Sequence, residues 1–577
     1  MLVITDNRTV EVESSSVNAD RLISFSEQER LLKSIRALIK GIDDETRQQE
    51  LNAVIENIHD NVDKTEIDAS LIAILSKLIR GNAEQSLQAG TTAFFMGFAA
   101  SIASASTINQ TSLNDAYKTL FIGLSAISAG FGRLQLGIEV NKNGGSRRTS
   151  QLLLASLLGL AITVIIAESS NPKTINSLSD YRTIGLILGA LLSGFGISTF
   201  SQVSNVINWH LEAGKPSAKL GGIAGMAPGI VGLIRFGLLV SFGEKLGQTI
   251  TSSLLITSLA ITTSVLTYSK NFSLVNAPCH QLMNHYDLSM QDAIFLAEIY
   301  GQKFFPTESA HGDWQALAHQ LKNSKVLLLI TNYIFCFGGF LGMTASLNLA
   351  LTSWGYDANQ ASLITSLFSL WASLCRAMIA FPINFLEKDR WGGGITNSIG
   401  AMLVLASALS IAIPNKVPEF NTLIPALSFM AIGFGISSAA TFKCVSSEVH
   451  KELSQPTKTP IVTAKANALI SCIGTFGSVI YTMGGGQLAE QNHDHPELGY
   501  VQIFYAIAAL ALLAGIPVFL MSHAHRDVLI AEQALSERSI VPEKSTTQRH
   551  TFFSDKKPIK ENNIEMNRTD YHLSSTA

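Results

Sequence analysis

Apolar residues in this chain are gathered into long, nearly continuous runs, and short polar segments separate one run from the next. A helix needs about 20 predominantly apolar residues to cross a hydrocarbon core of roughly 30 Å. By that criterion the pattern predicts twelve transmembrane helices. The predicted spans are residues 90–110, 116–139, 149–167, 182–207, 218–241, 248–268, 326–350, 359–385, 394–413, 422–448, 461–488 and 499–522.

The spans are rich in Gly, Ser, Thr and Ala, which indicates helices that pack against other helices. Lipid tails provide no hydrophobic drive for helix association, so helices in a membrane associate through small residues that let their backbones approach closely. The fourth span has such a run from Leu192 to Ser198. We therefore predict an all-α polytopic membrane protein in which such spans are buried among other helices.

Two blocks of about six spans repeat the same features in the same order. The sequence Gly-Phe-Gly-Ile-Ser begins at Gly194 in the fourth span and again at Gly433 in the tenth, and Arg133 in the second span has a counterpart in the eighth, Arg376. Repeated halves are a common transporter design, with the substrate site between them. The two six-helix bundles are predicted at residues 89–269 and 326–523. The glycines expected to allow close helix sliding are Gly194, Gly196, Gly433 and Gly435.

Three polar segments flank the two bundles. Residues 1–88 carry apolar positions at helical spacing, over 31–39 and again over 71–78, and predict a cytoplasmic amphipathic helical segment. We interpret this segment as a small helical cap, with a regulatory domain as the alternative. Residues 270–325 are predicted to form a cytoplasmic loop with a short helix, and residues 524–577 a polar, disordered tail.

The basic residues predict the orientation of the bundle. They are concentrated in one set of short loops, whereas the loops on the opposite side contain few. Basic loops stay in the cytoplasm. Both termini and the central loop are therefore predicted to be cytoplasmic, with a bacterial inner membrane as the default location. The basic loop residues are Lys142, Arg147, Arg148, Lys215, Lys219, Lys388, Arg390, Lys451 and Lys458.

Composition argues against several other functions. Charged residues make up 15% of the chain, whereas a typical soluble domain has about 25%. The net charge of −3 gives no reason to expect a nucleic-acid partner. The five cysteines form no disulfide or metal pattern, and the two histidines at 492–495 are interpreted as solvated. We expect no cofactor, no metal site, no enzymatic activity, and a monomer whose partners are the lipid bilayer and a small anionic solute.

Arg133 and Arg376 are the strongest candidates for a binding site. Each lies deep within a predicted span, where an arginine costs at least about 2.5–3.5 kcal/mol and therefore faces the bundle interior or water. Arg235 and Lys443 lie nearer to the span ends, where long side chains reach the interface. Two guanidinium groups, one from each half, present planar forks of donors that suit a small anion. The alternative is a structural role, with pairing to Glu139 or capping of carbonyl groups.

The spans contain no obvious carboxylate partner for these arginines. Proton-driven carriers usually need a titratable group within the pathway. The sequence therefore favours uniport or exchange, in which a bound anion neutralises the arginines and lets the two halves rock.

Two segments resemble a known family. The loop from Asn141 to Arg148, together with the glycine-rich fourth span, resembles the major facilitator superfamily, whose loop motif is Gly-x-x-x-Asp-Arg-x-Gly-Arg-Arg. Within that superfamily, the segment from Tyr333 to Met343 is similar to the seventh-helix signature of the nitrate/nitrite porter family. The resemblance covers about residues 90–525.

The resemblance implies a major facilitator fold and the transport of nitrate or nitrite. Arg133 and Arg376 fall where the nitrate/nitrite porter family places its two substrate-binding arginines. Tyr333 and Phe337 match aromatic residues that flank the anion in that family, and Phe200 matches a third. These five residues are the predicted substrate site.

Three hypotheses remain open. The first is a carrier that moves a small anion, nitrate or nitrite by resemblance, through alternating access. The second keeps the fold but changes the cargo to an organic anion or another polar metabolite. It is supported by the family's Gly-x-Gly-Asn signatures, which are degraded here at Ala227–Gly229 and Gly474–Gly477. The third is a non-transporting membrane sensor or scaffold, suggested by the long polar termini.

Overall fold

The computed structural model of this protein is built almost entirely from long helices. It describes residues 2–5, 8–11, 33, 49, 69–143, 146–169, 174–202, 214–268, 289, 317–318, 320–379, 393–451, 459–492 and 494–539. The helix predicted over 31–39 and the short helix predicted in the central loop lie, apart from isolated positions, outside the described residues. The chain beyond Ser539 also lies outside them.

In the described part of the chain, twelve helices are long and apolar enough to cross a membrane, and the predicted number of spans is confirmed. They are α1 (Ala69–Asn109), α2 (Asp115–Asn143), α3 (Ser146–Ser169), α4 (Tyr181–Gly194, continued by Phe195–Gln202), α5 (Gly214–Gly225 and Ala227–Phe242), α6 (Glu244–Tyr268), α7 (Ser324–Tyr333, Ile334–Gly338 and Gly339–Ser353), α8 (Ala358–Ile379), α9 (Gly394–Ala412), α10 (Phe420–Lys451), α11 (Thr459–Gln491) and α12 (Pro496–Ser539). The chain is thus an integral multi-pass membrane protein.

The first and last helices extend beyond the spans predicted for them. α1 begins at Ala69, so the amphipathic stretch at 71–78 and the first span form one continuous helix. α12 continues to Ser539, past residue 523, where the polar tail was predicted to begin. The polar residues of both extensions include good helix formers such as Glu, Gln and Lys, which allow the helix to continue past the apolar run.

Three helices are irregular, and each irregularity lies within a membrane span. The second part of α4, Phe195–Gln202, is a 3₁₀ helix, and α7 contains a π-helical turn at Ile334–Gly338. α5 is interrupted at Met226, and its second part has Pro228 in the first turn. Proline has no N–H to donate, which makes the first turn of a helix its natural place. Short 3₁₀ and π segments within helices often mark functional positions.

The outer surface of the bundle carries exposed apolar side chains, and small residues allow close helix contacts in its interior. Leu158 is 52% exposed, Met402 61% and Leu513 62%, as expected for side chains that face lipid. Inside, Gly97 of α1 and Gly196 of α4 lie so close that a Cβ on either would overlap the backbone of the other. Helix association through small residues is therefore confirmed at this contact.

The halves meet mainly through α2 with α11 on one side and α5 with α8 on the other, where α5 also contacts α10. A Cβ on Gly130 of α2 would overlap the Phe476 ring of α11. On the other side, a Cβ on Gly229 of α5 would lie 2.6 Å from the Leu370 Cβ of α8. The two interfaces enclose the space in which the predicted site residues meet.

A short antiparallel hairpin at the start of the chain was not predicted. Its strands, Leu2–Thr5 and Arg8–Glu11, pair with Leu2 opposite Glu11 and Thr5 opposite Arg8. The residues between them, Asp6 and Asn7, are of types that favour tight turns, a signal that helical spacing does not reveal.

Candidate functional site

Arg133 lies in the middle of α2 and is completely buried. Its Nε and Nη2 donate hydrogen bonds to the Ile197 carbonyl of α4, each at 3.3 Å, and its Nη1 donates to the Ser471 carbonyl of α11, also at 3.3 Å. α11 belongs to the second half. Arg133 therefore caps carbonyl groups, the structural alternative raised by its sequence, and in doing so connects the two bundles.

Arg376 lies near the end of α8 and is 3% exposed. Its Nε and Nη2 have no hydrogen-bond partner among the described residues. No described Asp or Glu lies within salt-bridge distance of either arginine. The guanidinium plane is held against Gly221 of α5, where any Cβ would overlap it. Arg376 thus presents buried N–H groups that nothing in the described structure accepts.

Both arginines lie over the same two aromatic rings. The Cζ atom of Arg133 is 4.8 Å from the ring centre of Phe200 and 4.7 Å from that of Phe337. For Arg376 the corresponding distances are 5.3 and 5.7 Å. Rings at such distances attract a guanidinium group through their quadrupole, an interaction that strengthens when the pair is desolvated. Phe200 and Phe337 therefore hold the two positive charges at the centre of the bundle.

Tyr333 completes the predicted set. Its ring stacks on Phe337 with the ring centres 5.0 Å apart and the planes at 3°. Its buried hydroxyl lies close to both guanidinium groups. The structure therefore brings together all five predicted substrate-site residues around one aromatic cluster.

The irregular helices place these residues. In the 3₁₀ segment of α4, Ser198 donates to the Ala129 carbonyl and Ser201 to the Arg133 carbonyl, at 3.0 and 2.9 Å. These hydroxyls bind α4 to α2 at Arg133 and one turn before it, and serine side chains readily form such bonds to backbone carbonyls. The segment also carries Phe200, while Phe337 lies within the π-helical turn of α7. The aromatic pair thus depends on two helical distortions.

The four predicted glycines lie within the halves and do not line the interfaces between them. Gly194 packs on Ser125 of α2, and Gly196 on Gly97 of α1. In the second half, Gly433 packs on α9 and Gly435 on α8. The glycines that contact the opposite half lie elsewhere, on α2, α5 and α11, and their spacing was not singled out from the sequence.

Several site residues escaped the sequence analysis. Phe94 of α1 and Phe442 of α10 extend the aromatic cluster, at 5.2 and 5.5 Å from Phe200. Gly474 of α11 leaves space for the Tyr333 ring. A signal for Phe442 did exist, since a Thr-Phe pair follows the Gly-Phe-Gly-Ile-Ser sequence in both halves. Phe94 has no comparable signal, because a phenylalanine in an apolar span is ordinary.

The surroundings of Arg235 differ from those predicted from its position in the sequence. It was expected to reach the membrane interface, but its Nη1 donates to the Ser106 hydroxyl of α1 and it lines an internal cavity. α5 turns this residue toward α1, where the Ser106 hydroxyl is its polar partner.

No protein-family model matches this chain, and no curated protein sequence does. Solved structures do resemble it. The proton:xylose symporter XylE of the major facilitator superfamily, bound to 6-bromo-6-deoxy-D-glucose, is 11% identical and has a TM-score of 0.51, over 75% of this chain and 95% of that chain. A double-tryptophan XylE mutant is 12% identical with a TM-score of 0.54, over 76% and 95%. XylE from E. coli in a partially occluded inward open conformation is 13% identical with a TM-score of 0.50, over 81% and 100%. These similarities, with the twelve helices, establish that the chain has the major facilitator fold.

Proposed function

We propose that this protein carries a small inorganic anion across the membrane by alternating access, and that Arg133 and Arg376 form the binding site. The observation that carries the proposal is the state of Arg376. Its guanidinium group is buried, lacks a carboxylate partner among the described residues, and has unpaired Nε and Nη2 atoms. A buried cation of this kind is costly unless a counter-charge occupies the site for part of the transport cycle.

The shape of the site favours a small, planar anion. The N–H groups of a guanidinium form a flat fork that fits two oxygens of an oxyanion. Phe200, Phe337 and Phe442 surround this fork and leave little room for water. Nitrate and nitrite are the first candidates because they are small and flat, and because the sequence resembles the porters that carry them.

A neutral sugar fits the site less well. The sugar named with the solved XylE structures belongs to those proteins, and a neutral solute would leave two buried positive charges without a counter-charge. An organic anion would also supply a counter-charge to the arginines. The transport assay must distinguish this alternative from a small inorganic anion.

The arginines suggest how binding is linked to movement. Arg133 joins α2 to the Ser471 carbonyl of α11, in the opposite half. An anion between the arginines offers Arg133 a stronger acceptor than a carbonyl, because hydrogen bonds between ionised groups are about twice as strong. The bound anion therefore weakens one tie between the halves. No described carboxylate pairs with the arginines. Because proton coupling usually needs such a titratable group, we propose uniport or exchange.

The test is anion flux into proteoliposomes, with wild type beside Arg376→Lys. Lysine keeps the charge but lacks the planar fork. We expect saturable nitrate or nitrite flux that the substitution abolishes, with chloride much slower. Flux of an organic anion alone would replace the substrate but keep the site. Absence of flux for every anion, from protein that is folded and inserted, would favour a non-transporting sensor.

A further inference from the structure

A second chamber, lined by both polar and apolar side chains, lies between the two halves, apart from the arginine pair. It is a cavity of about 90 Å³, lined by α1, α5 and α6 of the first half and by α7 and α8 of the second. Its α1 lining residues, Ile102–Asn109, place it toward the end of the bundle at which α1 joins α2. On the same measure one water needs roughly 10–15 Å³. The cavity therefore has room for a small inorganic anion with water around it.

The lining of this cavity is suited to an anion. Arg235 is its one charged residue, and no described lining residue is acidic. The Arg235 side chain is oriented by its hydrogen bond to Ser106, so that the charge is fixed at the wall. Gln248 of α6, Thr344 of α7 and several serines of α8 supply further donors.

Two hydroxyl groups in the wall lack partners. Ser369 of α8 is completely buried and Thr344 is 4% exposed, yet neither side-chain oxygen has a hydrogen-bond partner among the described residues. A buried hydroxyl left without a partner costs about 1–3 kcal/mol. Both residues line the cavity, so an occupant that accepts their hydrogen bonds would remove this cost.

The cavity is connected to Arg376 by one face of α8. Ser366, Ser369, Ser373 and Arg376 follow one another at intervals of three or four residues, the spacing that places side chains on one face of a helix. All four are buried. From Ser369 to Arg376 the helix rises about 10 Å. In this conformation the face is packed against α5, with Gly232 beside Ser366 and Gly225 beside Ser373. A solute can therefore pass along these hydroxyl groups to Arg376 only when α5 and α8 separate.

From this geometry we infer that the cavity is a second anion site, at which a small inorganic anion waits before it passes along the serine face of α8 to Arg376. Arg235 supplies the charge, while Ser369 and Thr344 donate hydrogen bonds. The inference rests on the proposed function for its role in transport, but anion binding in the cavity is testable without transport.

The transport test compares wild type, Arg235→Gln and Lys416→Gln in proteoliposomes of uniform orientation. Lys416 is the matched control: it lies in the loop between α9 and α10, its side chain is 65% exposed, and it does not line the cavity. Arg235→Gln should raise the nitrate KM about tenfold for uptake from the α1–α2 side, as expected for the loss of one charge-assisted contact. The KM from the opposite side, and the maximal rate, should change less than about twofold. Equal changes on the two sides, or none, would overturn the waiting site.

The binding test separates this inference from the proposed function. Crystals soaked in sodium bromide are examined for anomalous scattering from bromide. A bromide peak beside Arg235 in wild type that disappears in Arg235→Gln supports the second site, even if no anion is transported. A cavity without bromide in wild type contradicts it, even if nitrate transport through Arg376 is demonstrated.

Discussion

Arg133 and Arg376 occupy matching helices of the two halves and lie over the same two phenylalanine rings, but their surroundings differ. Arg133 has hydrogen bonds from all three of its guanidinium nitrogens. Arg376 has two nitrogens that are buried and unpaired. One arginine is thus fixed by the protein, and the other keeps donors available for a ligand.

The difference originates in the helices that contain the repeated Gly-Phe-Gly-Ile-Ser sequence, α4 and α10. After Gly194 the chain changes to a 3₁₀ helix, whereas after Gly433 it continues as an ordinary α-helix. A change of helix type alters which carbonyl groups are free for side chains. In the first half the Ile197 carbonyl accepts two bonds from Arg133. In the second half, the corresponding turn binds α9 through Ser437, at 3.1 Å from the Asn397 carbonyl.

The comparison shows that a repeated sequence does not ensure a repeated environment. The two halves share residues and their order, but the binding site between them is asymmetric. Such asymmetry suits a carrier, because Arg376 already has donors available for an anion, whereas Arg133 must exchange the Ser471 carbonyl for it. The predictions below separate a fixed arginine from one reserved for a ligand.

The largest effect is expected for Arg376→Met. The substitution removes the two unpaired N–H donors of Arg376. Because the anion would lose two charge-assisted hydrogen bonds, we expect anion flux to fall at least about 100-fold. Without anion, the same change should stabilise the protein by about 2–3 kcal/mol, because a buried uncompensated charge is removed. Flux in proteoliposomes and thermal unfolding in detergent measure the two effects. A marked loss of stability would mean that Arg376 is structural.

Arg133→Met should have the opposite effect on stability. The Ile197 and Ser471 carbonyls would lose their guanidinium partner, and each of these contacts to a charged group contributes about 1–3 kcal/mol. The Ser471 carbonyl would keep the hydrogen bond from the Thr475 hydroxyl, at 2.7 Å. We expect the free energy of unfolding to fall by about 2–6 kcal/mol, measured with Arg376→Met under the same conditions. If the two substitutions changed stability alike, the proposed division of roles would be wrong.

The number of helices and the arginine pair were predictable, for physical reasons. Apolar length is strongly constrained by the bilayer, so hydropathy finds twelve spans without knowledge of packing. An arginine within such a span is rare enough to attract attention, and both Arg133 and Arg376 lie in the interior.

The partners of those arginines were not predictable. The Ile197 and Ser471 bonds involve backbone carbonyls, which every residue has, so no residue type signals them. The 3₁₀ segment of α4 and the π turn of α7 arise from contacts with other helices, which a single apolar run does not encode. The sequence pattern therefore revealed the two buried arginines. It did not reveal which of them has hydrogen-bond partners within the protein.

Gly474→Ala tests the stacked rings of Tyr333 and Phe337, which lie beside Arg376. A Cβ at Gly474 would overlap the Tyr333 ring, so that the ring must move away from Phe337. We expect a loss of about 1–3 kcal/mol of stability from overpacking and weaker anion binding. The control is Gly485→Ala on the same helix, where the Cβ would lie 3.5 Å from the Tyr500 ring, an ordinary contact. The control should be neutral or slightly stabilising, because alanine favours a helix.

The smallest effect is expected for Tyr500→Phe, which tests whether Arg133 is the main tie between the halves. Tyr500 of α12 donates to the Asp115 carboxylate of α2, at 2.8 Å, near the end where α1 joins α2. Loss of one hydrogen bond is worth about 0.5–1.5 kcal/mol, so the population open at that end should rise only about two- to tenfold. Spin-label distances between α2 and α12 would measure it, with Tyr505→Phe, 44% exposed on the same helix, as the unchanged control. If Tyr500→Phe opened the bundle more than Arg133→Met does, the main contact between the halves would lie at this end of the bundle. Arg133 would then act in the binding site and would not hold the halves together.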